Sequence, residues 1–184
     1  YIAYPGVVAV YLDGEVQPGV GPQDIALAII GKVFKCGYVK NKVMEFVGPG
    51  ISSMTTDFRN GIDVMTTETT CLSSIWTTDD KVRDYLAMHG RADDYTELRH
   101  DKPACFDRCI RVDLSTIEPM MALPFHPSNA YPVAEVVRHA DELFAAVEEE
   151  ARKQFGKAGE GLKLRDKIHD GGVWVDQGII AGCA

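Results

Sequence analysis

The sequence lacks both an excess of positive charge and any hydrophobic run long enough to cross a membrane. Its 184 residues include 19 Lys and Arg against 27 Asp and Glu, which gives a formal net charge of -8. Nucleic-acid binding needs a local excess of cations, and no basic block stands out along the chain. The composition therefore argues against a nucleic-acid partner and against a membrane-spanning protein.

Cysteine is scarce, and its spacing is irregular. The five cysteines are Cys36, Cys71, Cys105, Cys109 and Cys183. An odd number of widely separated cysteines argues against the disulfide framework of a small secreted protein. The first residues also lack the charged segment that opens a secretory signal peptide. We therefore expect reduced thiols and a cytoplasmic protein.

The first part of the chain has the pattern of a layered α/β domain. Residues 7–12 and 42–47 are short apolar runs rich in β-branched side chains, which is typical of strands. Residues 25–34 between them are apolar almost all round, which indicates a helix buried between layers. A strand, a helix and a strand with these loop lengths form a βαβ unit with parallel strands. We predict an α/β domain over residues 1–130, with a largely parallel sheet flanked by helices.

Further elements follow in the same domain. Gly48-Pro49-Gly50 predicts a rigid turn whose backbone approaches a neighbouring segment closely. We expect Ser52 or Ser53 to cap a helix that runs to about Glu68. Strands are predicted at 72–76 and 106–114, and a helix is predicted from Asp79 and Asp80 to about residue 89.

The rest of the chain has a different composition. Residues 131–172 combine a proline-rich connector with an acidic, solvent-facing helix over 135–155. Residues 173–184 are predicted to be the first strand of a following, truncated domain, with the strand itself over 173–180. We expect the chain to be an internal piece of a longer protein.

Three candidate sites have simpler structural explanations. The GVGPQD loop at 19–24 lacks the spacing of a phosphate-binding loop, and its glycines suit the turn before a helix. Cys105 and Cys109 would share one face of the predicted strand, but they do not have the usual C-x-x-C spacing of a metal pair. We interpret them as two small buried residues. His126 lies between prolines in PFHPS and is held stiffly, and a structural or surface role is favoured over a ligand role.

Glu68 is the most informative polar residue. It stands among four threonines in VMTTETTCLSSIW, between a predicted helix and a predicted strand. One interpretation is a partly buried carboxylate that neighbouring hydroxyls keep in place as a hydrogen-bonding group. The other is a glutamate at a helix end with ordinary exposure.

Five short segments occur in an order that resembles the aconitase family of iron–sulfur hydro-lyases. They are EFVGPGI (45–51), MTTE (65–68), YLAMHGRAD (85–93), PFHPSNAYPVAEV (124–136) and IIAGC (179–183). The resemblance extends from about residue 7 to residue 183 and is closest to a hydratase branch of the family.

The resemblance implies an aconitase-like fold and a 4Fe–4S cluster held by three cysteines, with one iron open to substrate and water. Cys183 matches the first cluster ligand, and the other two ligands would lie outside this chain. Glu68 matches a catalytic glutamate that hydrogen-bonds water or hydroxyl at the open iron. Val64 stands where better-known members have an asparagine.

The expected substrate is a small carboxylic or hydroxy acid, and the remaining domains of the longer protein are expected partners. By itself this chain is expected to carry no cluster and to be inactive. The alternative is a cluster-free domain that binds a small acid or another protein.

Overall fold

A four-stranded parallel sheet forms the centre of the first part of the molecule. The computed structural model describes residues 3–182. The sheet has the order β3-β2-β1-β4. Its strands are β1 (Val7–Asp13), β2 (Val43–Val47), β3 (Ser73–Trp76) and β4 (Arg108–Asp113). The strands pair in parallel, with Val8 opposite both Met44 and Arg108. The predicted α/β class and the parallel sheet are confirmed.

One face of the sheet packs on helix α1 (Pro22–Val33) and helix α2 (Thr56–Asp63). Alternate residues of each strand point to this core, and Val8, Val10 and Phe46 are fully buried there. Helix α1 begins at Pro22 and contains most of the predicted helical segment 25–34. The Asp24 carboxylate accepts a hydrogen bond from the Gly21 N–H at 2.7 Å, so the preceding glycine loop serves the start of the helix.

The opposite face of the sheet is partly open. Tyr11 and Ile75 are 37% and 44% exposed there, and Cys109 on β4 is exposed as well. Cys105 precedes β4 and is also exposed. The interpretation of Cys105 and Cys109 as buried residues on one strand is therefore wrong, because this face has little packed over it.

The turn after β2 approaches β1 very closely. Gly48 has φ = 108°, and a Cβ atom there would lie 2.4 Å from the carbonyl oxygen of Leu12. The predicted close approach of this turn is thus confirmed. The predicted cap of the next helix is wrong, because the Ser52 and Ser53 hydroxyls donate to carbonyls of the turn itself. Thr55 caps α2 instead, by accepting from the Phe58 N–H at 3.2 Å.

Helix α3 (Asp80–Met88) follows β3. The Asp79 carboxylate caps it by accepting from the N–H groups of Lys81 and Val82, which confirms the predicted start of this helix. None of its residues is buried.

A second, smaller core contains the remaining elements. These are the hairpin of β5 (Met120–Ala122) and β6 (Ala130–Pro132), helices α4 (Val133–Arg138) and α5 (Ala140–Phe155), and the short hairpin of β7 (Ile168–His169) and β8 (Gly172–Val173). The predicted single helix over 135–155 is two helices, since the backbone at His139 leaves helical geometry. Nor is α5 only solvent-facing, because Phe144 and Val147 lie in this core.

The predicted strand over 173–180 is wrong beyond Val173. Residues 174–182 have no strand pairing, and Ile179 is 87% exposed. Asp176, Gln177 and Gly178 interrupt the apolar run, so no continuous buried face can form. Within residues 3–182, no helix has the length and apolar character needed to cross a membrane.

Candidate functional site

Glu68 lies in a short 3₁₀ turn, Thr66–Thr69, that follows α2. Threonine hydroxyls hold this turn: Thr66 donates to the Asp63 carbonyl at 2.8 Å, and Thr69 donates to the Thr66 carbonyl at 2.6 Å. The hydroxyls therefore stabilise the backbone and leave the Glu68 carboxylate free of them. Glu68 is exposed, so the interpretation of a partly buried carboxylate is wrong and that of an exposed one is confirmed.

The end of α2 is fixed to the sheet. The Trp76 indole N–H donates to the Asp63 carboxylate at 2.7 Å, and the Trp76 ring stacks on Phe46 with their centroids 4.0 Å apart. The turn that carries Glu68 is thus placed by a rigid part of the fold.

The Glu68 side chain opens into a cleft of about 660 Å³. The cleft lies beside α2 and is bordered by the start of α1, by α3 and by the last described residues. Its lining residues are Pro22, Gln23, Asp57, Asn60, Gly61, Val64, Met65, Glu68, Tyr85, Pro127, Ala181 and Gly182. Gly61 lets α2 approach the start of α1 closely, since a Cβ atom at this position would lie 2.7 Å from the Pro22 side chain.

The charge in this cleft is of one sign. Asp57 and Glu68 are carboxylates, and the lining within residues 3–182 contains no Lys, Arg or His. A neutral hydrogen-bonding group or a cation suits such a surface, whereas a second carboxylate would be repelled.

A buried arginine joins α2 to the start of α3. Arg59 is 2% exposed, and its guanidinium forms hydrogen bonds with the Asp79 carboxylate at 3.1 and 2.5 Å and with the Ile51 and Met54 carbonyls at 3.1 Å. Partial burial acts to raise the pKa of Asp79. The hydrogen bonds and charge of Arg59 outweigh it, together with the N–H groups of Val82 and Lys81, so this pKa lies below its ordinary value.

The sequence profile of the aconitase family (aconitate hydratase) matches residues 1–184. The chain belongs to this family. The predicted resemblance is confirmed, and the match covers both the sheet domain and the second core.

Three relatives show how much of the family's length the chain represents. The 3-isopropylmalate dehydratase large subunit 1 of Thermotoga maritima is 31% identical over 143 residues, which are 76% of this chain and 34% of that protein. The large subunit from Lachnoclostridium phytofermentans is 36% identical over 131 residues, 71% of this chain and 31% of that protein. The mitochondrial aconitate hydratase of Gracilaria gracilis is 30% identical over 71% of this chain and 18% of its own length. The chain thus spans about a third or less of these aconitase-family relatives.

Of the two site residues implied by the resemblance, the structure describes Glu68 but not Cys183. Glu68 lines the cleft. Cys183 lies outside the described residues, and its neighbour Gly182 lines the same cleft. Val64, where the resemblance implies an asparagine in better-known members, is 39% exposed and also lines the cleft.

The four described cysteines do not contribute to the cleft. None of Cys36, Cys71, Cys105 and Cys109 lines the cleft. No group of three His, Cys, Asp or Glu side chains suited to a metal ion occurs in the described part of the chain.

The contacts of His126 are those of a structural residue. Its ring stacks on Phe34 with the ring centroids 3.8 Å apart, and its Nδ1 lies 3.0 Å from the Ser128 hydroxyl.

Sequence reasoning missed Asn60 and Tyr85 as cleft residues. Asp57, Asn60, Val64 and Glu68 follow one another at helical spacing and lie on one side of the cleft. That spacing is readable from the sequence, but our predicted helix began too early and continued through Glu68. The sequence shows Tyr85 only as the first residue of the family-like segment 85–93, which gives it no role of its own.

Proposed function

We propose that the protein carrying this chain is an iron–sulfur hydro-lyase that adds or removes water on a small carboxylic or hydroxy acid. This chain would supply one side of the active site. The observation that supports the proposal is that Glu68 and Gly182, which are far apart in sequence, line one cleft. Membership of the aconitase family and the dehydratase and hydratase names of the relatives agree with it.

Cys183 is the residue of this chain that we assign to a 4Fe–4S cluster, as a single ligand. It follows Gly182, which lines the Glu68 cleft, whereas the other four cysteines do not line that cleft. The described residues contain no further ligand set. The remaining ligands would therefore come from outside this chain, which is consistent with the greater length of the relatives.

When bound, such a cluster would supply a Lewis acid to the oxygen that is lost or gained. Glu68 is the group that we assign to exchange a proton with that oxygen, because its carboxylate is exposed in the cleft and backbone contacts fix its turn. Since the described lining has no cation, the carboxylates of the acid would be held by groups outside this chain.

The test of cluster binding is anaerobic reconstitution of the complete protein that carries this chain, with iron and sulfide. Absorbance, paramagnetic resonance and iron content are then measured for the wild type, for Cys183→Ser and for Cys36→Ser. Cys36 is an exposed cysteine away from the cleft, so its variant is a matched control. We expect the wild type and Cys36→Ser to take up a 4Fe–4S cluster and Cys183→Ser to lose it.

The test of Glu68 is steady-state kinetics of the reconstituted protein with 3-isopropylmalate and with aconitate. Glu68→Gln should lower kcat by about 10²- to 10⁴-fold, which is the usual contribution of a general acid or base. Glu142→Gln, on the exposed side of α5, is the matched control and should retain activity. Failure of the wild type to bind iron or to turn over an acid would favour the cluster-free binding domain instead.

A further inference from the structure

Polar contacts, not apolar packing, align α3 with α2. The Thr56 hydroxyl donates to the Lys81 carbonyl at 3.2 Å, and the Lys81 ammonium donates to the Ser52 carbonyl at 2.5 Å. The pair of Arg59 and Asp79 lies beside them. Because α3 buries none of its residues, these contacts at its first turn help to position its next turn.

One helical turn beyond this contact, each helix presents a neutral polar side chain to the cleft. Asn60 follows Thr56 by one turn, and Tyr85 follows Lys81 by one turn. Both residues line the Glu68 cleft. Tyr85 is half-buried, and its ring packs on His89 with centroids 4.4 Å apart. Within residues 3–182, neither the Asn60 amide nor the Tyr85 hydroxyl forms a hydrogen bond, so both are available to a ligand.

The charge of the cleft determines which part of a ligand these two groups can meet. Asp57 and Glu68 repel a carboxylate, and no cation of the described lining offsets them. A hydroxyl or water oxygen carries no such penalty, and it can both accept from the amide or phenol and donate to a carboxylate.

We propose that Asn60 and Tyr85 form a neutral donor pair that binds the hydroxyl-bearing part of the hydroxy-acid substrate. The inference rests on the proposed function and goes beyond it, because it adds two substrate-binding residues and orients the substrate. The hydroxyl side of the acid faces this chain, and its carboxylates face the groups supplied from elsewhere.

This orientation has a specific kinetic consequence. The pair contacts the hydroxyl oxygen both in the bound hydroxy acid and in the transition state. Its loss should therefore raise KM for dehydration of the hydroxy acid with little change in kcat. In the hydration direction the same loss should lower kcat with little change in KM. Both kcat/KM values must fall by one common factor, because the equilibrium constant of the reaction is fixed.

The experiment uses the reconstituted complete protein with 3-isopropylmalate in one direction and its dehydrated product in the other. Tyr85→Phe and Asn60→Ala are compared with the wild type and with Tyr4→Phe, whose tyrosine is 95% exposed. We expect kcat/KM to fall about tenfold for each cleft variant, as for the loss of one hydrogen bond. Tyr4→Phe should match the wild type.

Iron content and thermal unfolding of each variant show whether it retains the cluster and the fold. Unchanged kinetics in both cleft variants, with the wild type active, would overturn the donor pair and leave the proposed hydro-lyase intact. A fall in kcat for dehydration with no change in KM would overturn the assignment as well. A wild type that turns over neither acid would remove the proposed function and this inference together.

Discussion

Helices α1 and α3 follow strands β1 and β3 of one parallel sheet, yet they are held in place in different ways. Helix α1 buries six residues: Ile25, Ala26, Leu27, Ile29, Ile30 and Val33. Four of them, all except Leu27 and Ile30, belong to the core under the sheet. Helix α3 buries none and relies on the hydrogen bonds at its first turn. The position of α1 therefore depends on apolar area removed from water, whereas the position of α3 depends on a few charged and polar groups.

The difference matters because both helices border the Glu68 cleft. Pro22 and Gln23 at the start of α1 form a part of the cleft that the core holds in place, and Tyr85 on α3 forms a part that the polar contacts hold. Binding sites often take their movable parts from weakly packed segments. We expect changes of pH or of single polar residues to act on the α3 side of the cleft first.

The largest expected effect on the free energy of unfolding comes from a substitution in α1. Ile30→Ala removes a side chain that is 1% exposed and should lower the free energy of unfolding by about 2–5 kcal/mol. Leu86→Ala, at a half-buried position of α3, should lower it by less than about 1 kcal/mol, since surrounding water already reaches this helix. Urea unfolding of the two variants of this chain measures the contrast, and equal losses would contradict it.

The next effect should come from the buried arginine. Arg59→Met leaves the Ile51 and Met54 carbonyls and the Asp79 carboxylate without their donor, which should cost about 2 kcal/mol. Arg83→Met breaks an exposed pair with Asp80 and should cost less than about 0.5 kcal/mol. Urea unfolding of both variants checks the ranking, and a neutral Arg59→Met would show that α3 is held by other groups.

Asp79 should make the free energy of unfolding depend on pH in the acid range. Because its pKa is lower in the folded chain than in the unfolded chain, its carboxylate stabilises the fold above the unfolded-state pKa of about 3.9. That contribution is lost as the pH falls through the lower, folded-state pKa. Asp79→Asn should therefore be less stable than the wild type at pH 7, with the difference shrinking in acid.

Measurement of the free energy of unfolding between pH 7 and pH 2.5 tests the Asp79 prediction. Asp80→Asn, in an exposed ion pair, is the control and should leave the wild-type pH profile nearly unchanged. A difference between Asp79→Asn and the wild type that stays constant over this range would refute the assignment.

The smallest expected effect on stability is that of Tyr85→Phe. The hydroxyl forms no hydrogen bond within residues 3–182 and lies on a helix without buried residues, so its loss should change the free energy of unfolding by less than about 0.5 kcal/mol. Thermal and urea unfolding measure this. A larger loss would mean that the hydroxyl supports the fold, which would weaken its proposed role in substrate binding.

The parallel sheet and α1 could be predicted because their signals are local. Apolar β-branched runs bounded by Gly and Pro define β1 and β2, and an almost wholly apolar segment between them can only be a covered crossover helix. The course of 174–182 could not be predicted in the same way. Its apolar residues suggest a strand, but a strand needs a partner, and none of the described residues pairs with 174–182.

The site was predicted in part. The family resemblance points to Glu68, which lines the cleft, and to Cys183, and the roles of both residues stay predictions. The places of Asn60 and Tyr85 in the cleft depend on how α2 and α3 lie against each other. Arg59 and Asp79 make that contact, and they are too far apart in the sequence for a local pattern to reveal it. The cytoplasmic location and the division of the chain at residue 131 also stay predictions.

The short hairpin of β7 and β8 gives the second core a role beyond its own stability. Ile168 and Val173 pack on that core, the Trp174 N–H donates to the Lys167 carbonyl at 2.9 Å, and the Lys167 ammonium pairs with Asp176 at 2.7 Å. The hairpin thus anchors the segment whose last described residues reach the cleft. The second core therefore supports one border of the cleft. Substitutions inside this core are expected to move Ala181 and Gly182 while leaving the cleft residues of α2 in place.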